Sequence, residues 1–461
     1  MLKNENIVCI SSIDWDFVWQ GHQEIMSFFA RNGNRVLFIE NTGIRVPTLK
    51  DLPRLRKRII NWASSIKGFE EKMDNIFVYS PLILPFPYSR VAMFINKYLL
   101  IRSLKRWIKA MEFNNPIVWT FLPTGTALDI INNIDKKLLI YYCIADFYQL
   151  VDSRRKVERT ENELIKKSDL IFVQGDILKE RCGRLNNNVH IFPFGVNLGT
   201  FKNFHGYEDK IPNDMLGIKK PVIGYIGGIH RHIDFDLLRF IAQEHPDWSI
   251  VLIGPIQTDT SKIRGLKNIF LLGKKEFSSL PEYVSRFDVG IIPYIVSDYT
   301  ATVFPTKLNE YHAIGKPVVS TNLPEITNFN TENNNLVLIG NDYREFTGCI
   351  LKAINNKDKE LINMRLLSAE NNSWATRIEK MSGLIEGSID KKYKISPDWS
   401  KNFLKLYMAS RKKISKLIFT SLAIYCLVFY TPFVWFLGSP LRIQGELHKA
   451  DAIVVLAGGV G

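Results

Sequence analysis

Short apolar segments alternate with amphipathic helical segments along most of this chain, and this alternation restricts the fold classes open to it. The first unit runs from an apolar segment at 7–13, through a helix that ends near Ala30, to a second apolar segment at 35–40. A helical crossover between two strands joins them in parallel. The pattern therefore predicts an α/β fold built on parallel sheets.

The alternation forms two series, and each series predicts a doubly wound, Rossmann-like domain. Further strands are predicted at 117–121, 137–143, 170–174, 189–192, 222–226, 249–253, 269–272, 289–292, 317–320 and 336–339. We predict an N-terminal domain at 1–200 and a C-terminal domain at 201–390, with a cleft between them. Ligands of open α/β sheets bind beyond the carboxyl ends of the strands, so the cleft is the expected binding site.

Positive charge is concentrated in two regions of the chain, whose formal net charge is +14. Residues 50–112 carry 13 Lys and Arg against 5 Asp and Glu, and residues 391–416 carry 9 against 1. Clustered cations favour an anionic membrane surface, and no basic-aromatic pattern indicates a nucleic-acid module. Residues 48–72 and 88–112 are predicted to be basic helices. The apolar and cationic faces of the second fit either a membrane surface or packing on a sheet.

The C-terminal part of the chain predicts a membrane anchor. After a basic linker at 391–416, residues 417–437 contain no charge over 21 positions, enough to cross a bilayer. A buried core helix is the alternative. The upstream cations place both Rossmann-like domains on the cytoplasmic side and the C-terminus outside. Residues 438–461 end in a strand and a glycine loop, which predicts the truncated start of an extracytoplasmic domain.

The segment 304–320 is predicted to be a loop, a short helix, a Gly-Lys-Pro break and a buried strand. Lys307 and Glu310 lie three residues apart, so they project from the same side of the helix. A cation and a carboxylate placed in this way suit the phosphate and the sugar hydroxyls of a nucleotide. The alternative is an ion pair in solvent, which contributes little to stability.

A pair of glycines, Gly227-Gly228, follows a predicted strand and precedes a helix, so the backbone there can approach a diphosphate closely. The spacing is not that of a dinucleotide fingerprint, which disfavours a nicotinamide cofactor. His230 and Arg231 follow the glycines and could contact a phosphate. The alternative is that they are solvated loop residues.

Candidate residues of the first domain follow its strands. Asp146 could deprotonate an acceptor hydroxyl, or could be a helix N-cap. His22 is a second candidate base, although a lone histidine is more often structural. Asp14, Asp16 and Trp19 are predicted to bind an acceptor sugar, and the two aspartates alternatively cap their loop. Neither they nor the five scattered cysteines have the spacing of a metal site, so we expect no metal and no cofactor.

Together these motifs resemble the GT-B glycosyltransferases, and most closely the TuaH-like and GumK-like enzymes of bacterial surface-polysaccharide synthesis. The pattern P-x-K-x-x-E-Y-x-A-x-G-K-P-V-V from Pro305 to Val319 is the most specific match. Weaker matches occur in the same order at 14–23, 81–87, 119–123, 142–147, 161–174, 193–201, 222–228, 268–273 and 280–293.

The resemblance implies roles for the candidate residues. Glu310 would bind the ribose of a nucleotide-diphosphate sugar, and Lys307 the distal phosphate or the donor sugar. The Gly227-Gly228 turn would hold the diphosphate, and backbone near Gly273-Lys274 would bind the base. Asp146 matches the position of the catalytic base in inverting relatives. The implied activity is metal-independent transfer of a hexosyl or uronosyl group to a lipid-linked or cell-envelope polysaccharide acceptor.

Thr302 is a departure from the resemblance, because many retaining relatives have a glutamate eight residues before the ribose-binding one. Its absence favours an inverting mechanism. It also leaves open an inactive GT-B scaffold for envelope assembly. Residues 450–456 resemble the start of a SanA/YdcF-like envelope domain, so the principal activity could also belong to that domain.

Overall fold

The computed structural model describes residues 1–16, 19–42, 56, 60, 62, 65–84, 90–150, 154–202, 211–394, 399–433 and 436. The chain separates into two compact units, Met1–Asp390 and Lys391–Gly461. Both predicted Rossmann-like domains lie in the first unit. The predicted domain start at 438–461 lies outside the described residues.

Among the described residues, the first sheet has eight strands. They are β1 Asn6–Ile10, β2 Arg35–Ile39, β3 Phe69–Met73, β4 Ile76–Tyr79, β5 Ile117–Thr120, β6 Leu138–Cys143, β7 Leu170–Val173 and β8 Val189–Ile191. Their order is β3-β4-β2-β1-β5-β6-β7-β8. Every neighbouring pair is parallel except β3 with β4. The predicted parallel α/β sheet is therefore confirmed.

The second sheet has six strands in the described part of the chain, and all of its neighbouring pairs are parallel. They are β9 Val222–Ile226, β10 Ser249–Ile253, β11 Ile269–Gly273, β12 Val289–Ile292, β13 Val318–Thr321 and β14 Val337–Gly340. The order is β11-β10-β9-β12-β13-β14. The chain reverses direction across the sheet between β10 and β12, which flank β9. Doubly wound sheets bind ligands where the strand order changes direction in this way.

Helices connect the strands. The α-helices of the described residues are Gly21–Arg31, Arg90–Ala110, Gly125–Asn133, Arg154–Lys167, Asp176–Gly183, Leu198–Lys202, Phe235–Glu244, Leu280–Ser285, Lys307–His312, Pro324–Glu332, Tyr343–Asn355, Lys359–Asn371, Trp374–Lys394 and Trp399–Phe429.

The apolar strands bury both of their faces, as parallel strands covered by helices do. Successive side chains of a strand point to opposite faces of the sheet. Accordingly, Ile7 and Cys9 of β1 contribute to the core on one face of the first sheet, and Val8 and Ile10 to the core on the other.

The helix Trp374–Lys394 packs against the first sheet, although its residues follow the second sheet in the chain. Trp374, Ile378, Met381 and Ile385 recur at helical spacing and join the core of the first domain. The predicted range 201–390 placed this helix with the second domain. The part of this helix that belongs to the first unit therefore connects the two domains.

Strands β3 and β4 were both missed. The β3 sequence FEEKM carries three charges and overlaps the predicted basic helix 48–72, and the four-residue strand β4 follows it directly. Strand β3 is at the edge of the sheet and pairs antiparallel with β4. Charged side chains are common on edge strands because one side of such a strand faces solvent. Residues 48–55 of the predicted helix lie outside the described residues.

The structure does not support the predicted transmembrane helix at 417–437. Its apolar residues continue a helix that begins at Trp399 and ends at Phe429, shortly before Pro432. From Leu417 to Phe429 the helix has 13 residues, whereas about 20 are needed to cross a bilayer. Within the described part of the chain, no helix is long and apolar enough to span a membrane. The described residues of the predicted basic linker are helical.

Replacing Gly224 of β9 with alanine should destabilise the second domain. An added Cβ would lie 2.1 Å from the Phe287 ring, so the ring or the strand would have to shift. We expect the free energy of unfolding to fall by about 1–3 kcal/mol. Urea unfolding of Gly224→Ala measures the change. Gly217→Ala is the control, because nothing lies within 4 Å of its added Cβ and the cost should be small.

Candidate active site

A cavity of about 470 Å³ lies where the carboxyl ends of the strands of the two sheets face each other. The first domain lines it with Trp19, Gln20, Gly21, Glu24, Ile144, Gln174, Phe194, Gly195 and Asn197, together with Trp374. The second domain contributes Tyr225, Ile226, Gly227, Gly228, His230, Phe277, Leu280, Tyr294, Val303, Phe304, Pro305, Thr306, Lys307 and Glu310. The predicted cleft therefore exists, and several predicted residues converge on it.

The Gly227-Gly228 turn follows β9 directly and lines the cavity. Gly227 has a φ of +127°, a conformation that side-chain-bearing residues rarely adopt. Gly254, just after the neighbouring strand β10, has a φ of +153°, and an added Cβ there would lie 1.9 Å from the Gly227 carbonyl oxygen. Glycine at positions 227 and 254 thus lets the loops after β9 and β10 approach closely. It also leaves the backbone of the Gly227-Gly228 turn exposed to the cavity.

Lys307 begins a short helix whose first turn lines the cavity. The side chain is only 7% exposed, and an added Cβ on Gly227 would lie 3.7 Å from its Nζ. Its ammonium donates a hydrogen bond to the Tyr294 hydroxyl. It also lies 4.7 Å from the centroid of the Tyr294 ring and 5.1 Å from that of Tyr225. The contact with the Tyr225 ring is a cation–π contact, which contributes about 0.5–2 kcal/mol.

Glu310 lines the cavity one helical turn from Lys307 and is half-buried. Burial raises the pKa of its carboxyl group to about 7, although the Lys307 charge acts to lower it. Neither side chain has an ion-pair partner within the described part of the chain, and Lys307 contacts tyrosines instead. The solvated ion pair that the spacing alone allowed is therefore not formed.

His230 lines the cavity next to Lys307, whereas Arg231 is exposed and does not. Burial and the Lys307 charge lower the pKa of His230 to about 4, so the imidazole is neutral at pH 7. Its Nδ1 accepts a hydrogen bond from the His232 backbone N–H, which leaves the proton on Nε2. Gly273 ends β11 and Lys274 is exposed beside it, both outside the cavity lining.

The wall formed by the first domain contains a carboxylate that the sequence analysis missed. Glu24 is buried; its Oε2 accepts from Trp19 Nε1 at 2.5 Å and its Oε1 from Asn197 Nδ2 at 3.1 Å. Its position in the first turn of the helix after β1, near the carboxyl end of that strand, could have identified it as a candidate site residue. Trp19 is 37% exposed and lines the cavity, whereas Asp14 and Asp16 do not line it, and the acceptor-binding role of all three stays a prediction.

Asp146 follows β6 but does not line the cavity. Its carboxylate accepts from Arg181 at 2.8 Å and from the Tyr148 backbone N–H at 3.1 Å. Arg181 also contacts the buried Glu161 carboxylate at 3.1 Å. These contacts agree with the capping alternative, and the catalytic role of Asp146 stays a prediction.

His22 is fully buried, and burial lowers its pKa to about 3, so it is neutral at physiological pH. Its Nε2 lies 2.8 Å from the Ser12 hydroxyl, and its ring centroid lies 4.0 Å from that of Phe121. The contacts agree with a structural histidine. Its proposed role as a base also stays a prediction.

Residues 220–356 match the family described as Glycosyl transferases group 1. This region contains the glycine turn, Lys307 and Glu310. The chain is also 34% identical over 184 residues to TuaH of Bacillus subtilis (strain 168), a protein assigned to teichuronic acid biosynthesis as a glycosyltransferase. The match covers 38% of this chain and 46% of TuaH, so it spans about half the length of that relative.

Solved structures share the arrangement of both domains. Sucrose-phosphate synthase from Thermosynechococcus elongatus superposes with a TM-score of 0.60 at 15% identity, covering 83% of this chain and 99% of that one. HepE of Anabaena, solved in complex with UDP, superposes with a TM-score of 0.58 at 11% identity, covering 83% and 100%. At such identities the likeness concerns the fold. The predicted GT-B arrangement of two Rossmann-like domains is confirmed.

The raised pKa of Glu310 should make stability depend on pH. Between pH 4.5 and about 7 the folded carboxyl group keeps a proton that the unfolded chain has lost, so the free energy of unfolding falls as pH rises. Replacing Glu310 with glutamine should remove this decline, which is on the order of 3 kcal/mol. Urea unfolding at pH 5 and pH 7.5 compares the two proteins.

Glu332→Gln is the matched control, because Glu332 is exposed. It should reproduce the pH dependence of the unaltered protein. Equal slopes for Glu310→Gln and the unaltered protein would contradict the assignment.

Proposed function

We propose that this protein is a glycosyltransferase that moves a sugar from a nucleotide-diphosphate sugar to a lipid-linked or cell-envelope polysaccharide acceptor at an anionic membrane surface. One observation carries the proposal. The buried Lys307 ammonium has no carboxylate partner among the described residues and lies beside the Gly227-Gly228 turn, with Glu310 one turn away. A buried cation without a counter-ion is costly, so a site of this kind favours an anionic ligand.

The donor would bind with its diphosphate between Lys307 and the glycine turn. The Nε2–H of neutral His230 supplies a further donor at the same end of the cavity. Glu310 accepts hydrogen bonds from the ribose hydroxyls. When the sugar leaves, negative charge develops on the diphosphate, and the positioned ammonium stabilises it without a metal ion or cofactor. Backbone near Gly273-Lys274 remains the proposed contact for the base.

The similar proteins support sugar transfer as the reaction and a polysaccharide as the acceptor. The group 1 match covers the donor half of the site, and HepE was solved with UDP, which makes a nucleoside diphosphate the favoured leaving group. The teichuronic acid assignment of TuaH favours a cell-envelope polysaccharide as acceptor. Trp19 offers an exposed ring on the opposite wall, where an acceptor sugar would stack.

A specific observation favours the second candidate function, an inactive GT-B scaffold for envelope assembly. Transfer with inversion uses a base for the acceptor hydroxyl, and the proposed base Asp146 is paired with Arg181 outside the cavity. The position eight residues before Glu310 is Thr302, whose hydroxyl donates to the Tyr299 carbonyl. Donor binding without any sugar transfer would identify the scaffold.

The helix Arg90–Ala110 supports membrane association. Its first half exposes apolar side chains, including Phe94 at 72% and Leu99 at 54% exposed. Exposed cations continue along the helix at Lys97, Arg102, Lys105, Arg106 and Lys109. Apolar side chains next to cations suit the interface of an anionic leaflet. We propose that this surface binds the cytoplasmic face of the cell membrane, where lipid-linked acceptors are reached.

Replacing Lys307 with methionine should remove the charge that binds the donor while keeping the length of the side chain. We expect UDP affinity, measured by titration calorimetry, to fall about ten- to a hundredfold, because charge-assisted hydrogen bonds are lost. Transfer from radiolabelled sugar nucleotides should fall as well. Lys267→Met, an exposed lysine outside the cavity, is the control. Unchanged binding and turnover in Lys307→Met would refute the proposed donor site.

Replacing Phe94 and Leu99 together with serine should weaken membrane binding. The change removes exposed apolar area without altering charge, so binding to vesicles containing phosphatidylglycerol should drop severalfold. Vesicle co-sedimentation measures it, with neutral phosphatidylcholine vesicles as the low-charge reference. The exposed Leu216 and Leu367, replaced by serine, form the control pair. Equal sedimentation of both double variants would exclude this helix as the membrane contact.

A further inference from the structure

Two tyrosines, rather than carboxylates, surround the Lys307 ammonium. Tyr225 is the penultimate position of β9, and Tyr294 lies two residues beyond the end of β12. These strands are neighbours in the sheet, so their carboxyl ends place both rings beside the same ammonium. The Nζ lies 5.1 Å from the Tyr225 ring centroid and 4.7 Å from that of Tyr294. The proposed donor-binding residues, Lys307, Glu310, His230 and the glycine turn, do not include either tyrosine.

The hydroxyl groups connect Lys307 to the glycine turn. The Tyr225 hydroxyl donates to the Gly228 carbonyl oxygen at 2.9 Å and lies 3.5 Å from the Tyr294 hydroxyl. The Tyr294 hydroxyl accepts the hydrogen bond from Lys307. One tyrosine therefore holds the turn and the other holds the cation, and the two hydroxyls are in contact.

The geometry leaves donors available for an anion. Because the Tyr294 oxygen accepts from Lys307, its own O–H has only the long contact to Tyr225 within the described structure. The Lys307 ammonium has three protons, and one of them goes to Tyr294. The Tyr225 ring attracts the cation and the Tyr294 hydroxyl accepts a hydrogen bond from it, and neither contact neutralises its charge. A carboxylate in their place would neutralise it. The ammonium is thus fixed in position and still positive.

We infer that Tyr225 and Tyr294 are positioning residues for the diphosphate of the donor, an inference that rests on the proposed function. Tyr225 sets the Gly227-Gly228 turn, and Tyr294 sets the Lys307 ammonium opposite it. A nucleoside diphosphate entering between them accepts hydrogen bonds from Lys307 and from the Tyr294 hydroxyl. A nucleoside monophosphate has no distal phosphate to reach this pair, so the tyrosines select for the diphosphate.

The test compares diphosphate and monophosphate binding in conservative variants of the full chain. UDP, GDP, ADP and dTDP are first screened on the unaltered protein by titration calorimetry, and the tightest is then compared with its monophosphate. Tyr294→Phe should weaken diphosphate binding about tenfold, because a hydrogen bond to a charged group is lost. Tyr225→Phe should also weaken it. Monophosphate binding should stay within about twofold, because its contacts are retained.

Controls distinguish the inference from loss of folding and from failure of the proposed function. Tyr283→Phe removes a hydroxyl that bonds to Asp214 away from the cavity, and should bind both nucleotides normally. Tyr294→Leu, which removes the ring as well, should weaken diphosphate binding further than Tyr294→Phe.

If both phenylalanine variants bind diphosphate as tightly as the unaltered protein while Lys307→Met does not, the tyrosines only pack and the inference fails. Equal loss for diphosphate and monophosphate would also overturn it. Absence of any nucleotide binding by the unaltered protein would refute the proposed function and the inference together.

Discussion

One buried ammonium group, that of Lys307, lines the cavity between the two domains, and its position depends on the residues packed around it. Lys307 is held by the Tyr225 ring and by the Tyr294 hydroxyl, and none of the described carboxylates neutralises it. Removing an ammonium from water is costly, so its position has to be maintained by well-packed neighbours. Tyr311 provides this packing for the helix. Its hydroxyl accepts from the Ile226 backbone N–H at 3.0 Å, and its ring lies where a Cβ on Gly290 would be.

The cavity also depends on contacts that hold the two domains opposite each other. Glu325 of the second domain approaches the start of the helix Asp176–Gly183, and only a glycine at position 175 leaves room for its carboxyl group. Burial and nearby Asp176 raise the pKa of Glu325 to about 7, while backbone N–H groups of the helix act to lower it. Asn328 adds a 2.9 Å hydrogen bond to Asp176. Together with the helix Trp374–Lys394, these contacts join the two halves of the cleft.

Periodicity predicted the architecture well, because strand and helix patterns are local. The apolar segments at 117–121, 170–174 and 249–253 correspond closely to β5, β7 and β10. The errors have physical causes. The charged edge strand β3 lacks an apolar pattern, and the apolar residues after Leu417 belong to a helix that begins earlier and ends at Phe429. Pattern alone could not place the helix Trp374–Lys394 on the first sheet, since its apolar face would fit either core.

By itself the sequence determined the parallel α/β fold, the two series of strands and the glycine turn. It also determined that Lys307 and Glu310 project from the same side of one helix. Each of these follows from residues close together in the chain. The tertiary structure alone decided what those groups contact. Tyr225 and Lys307 are far apart in sequence, and the pairing of Asp146 with Arg181 brings together the ends of different elements. Such distances depend on strand order and on the docking of the two domains, which no local pattern records.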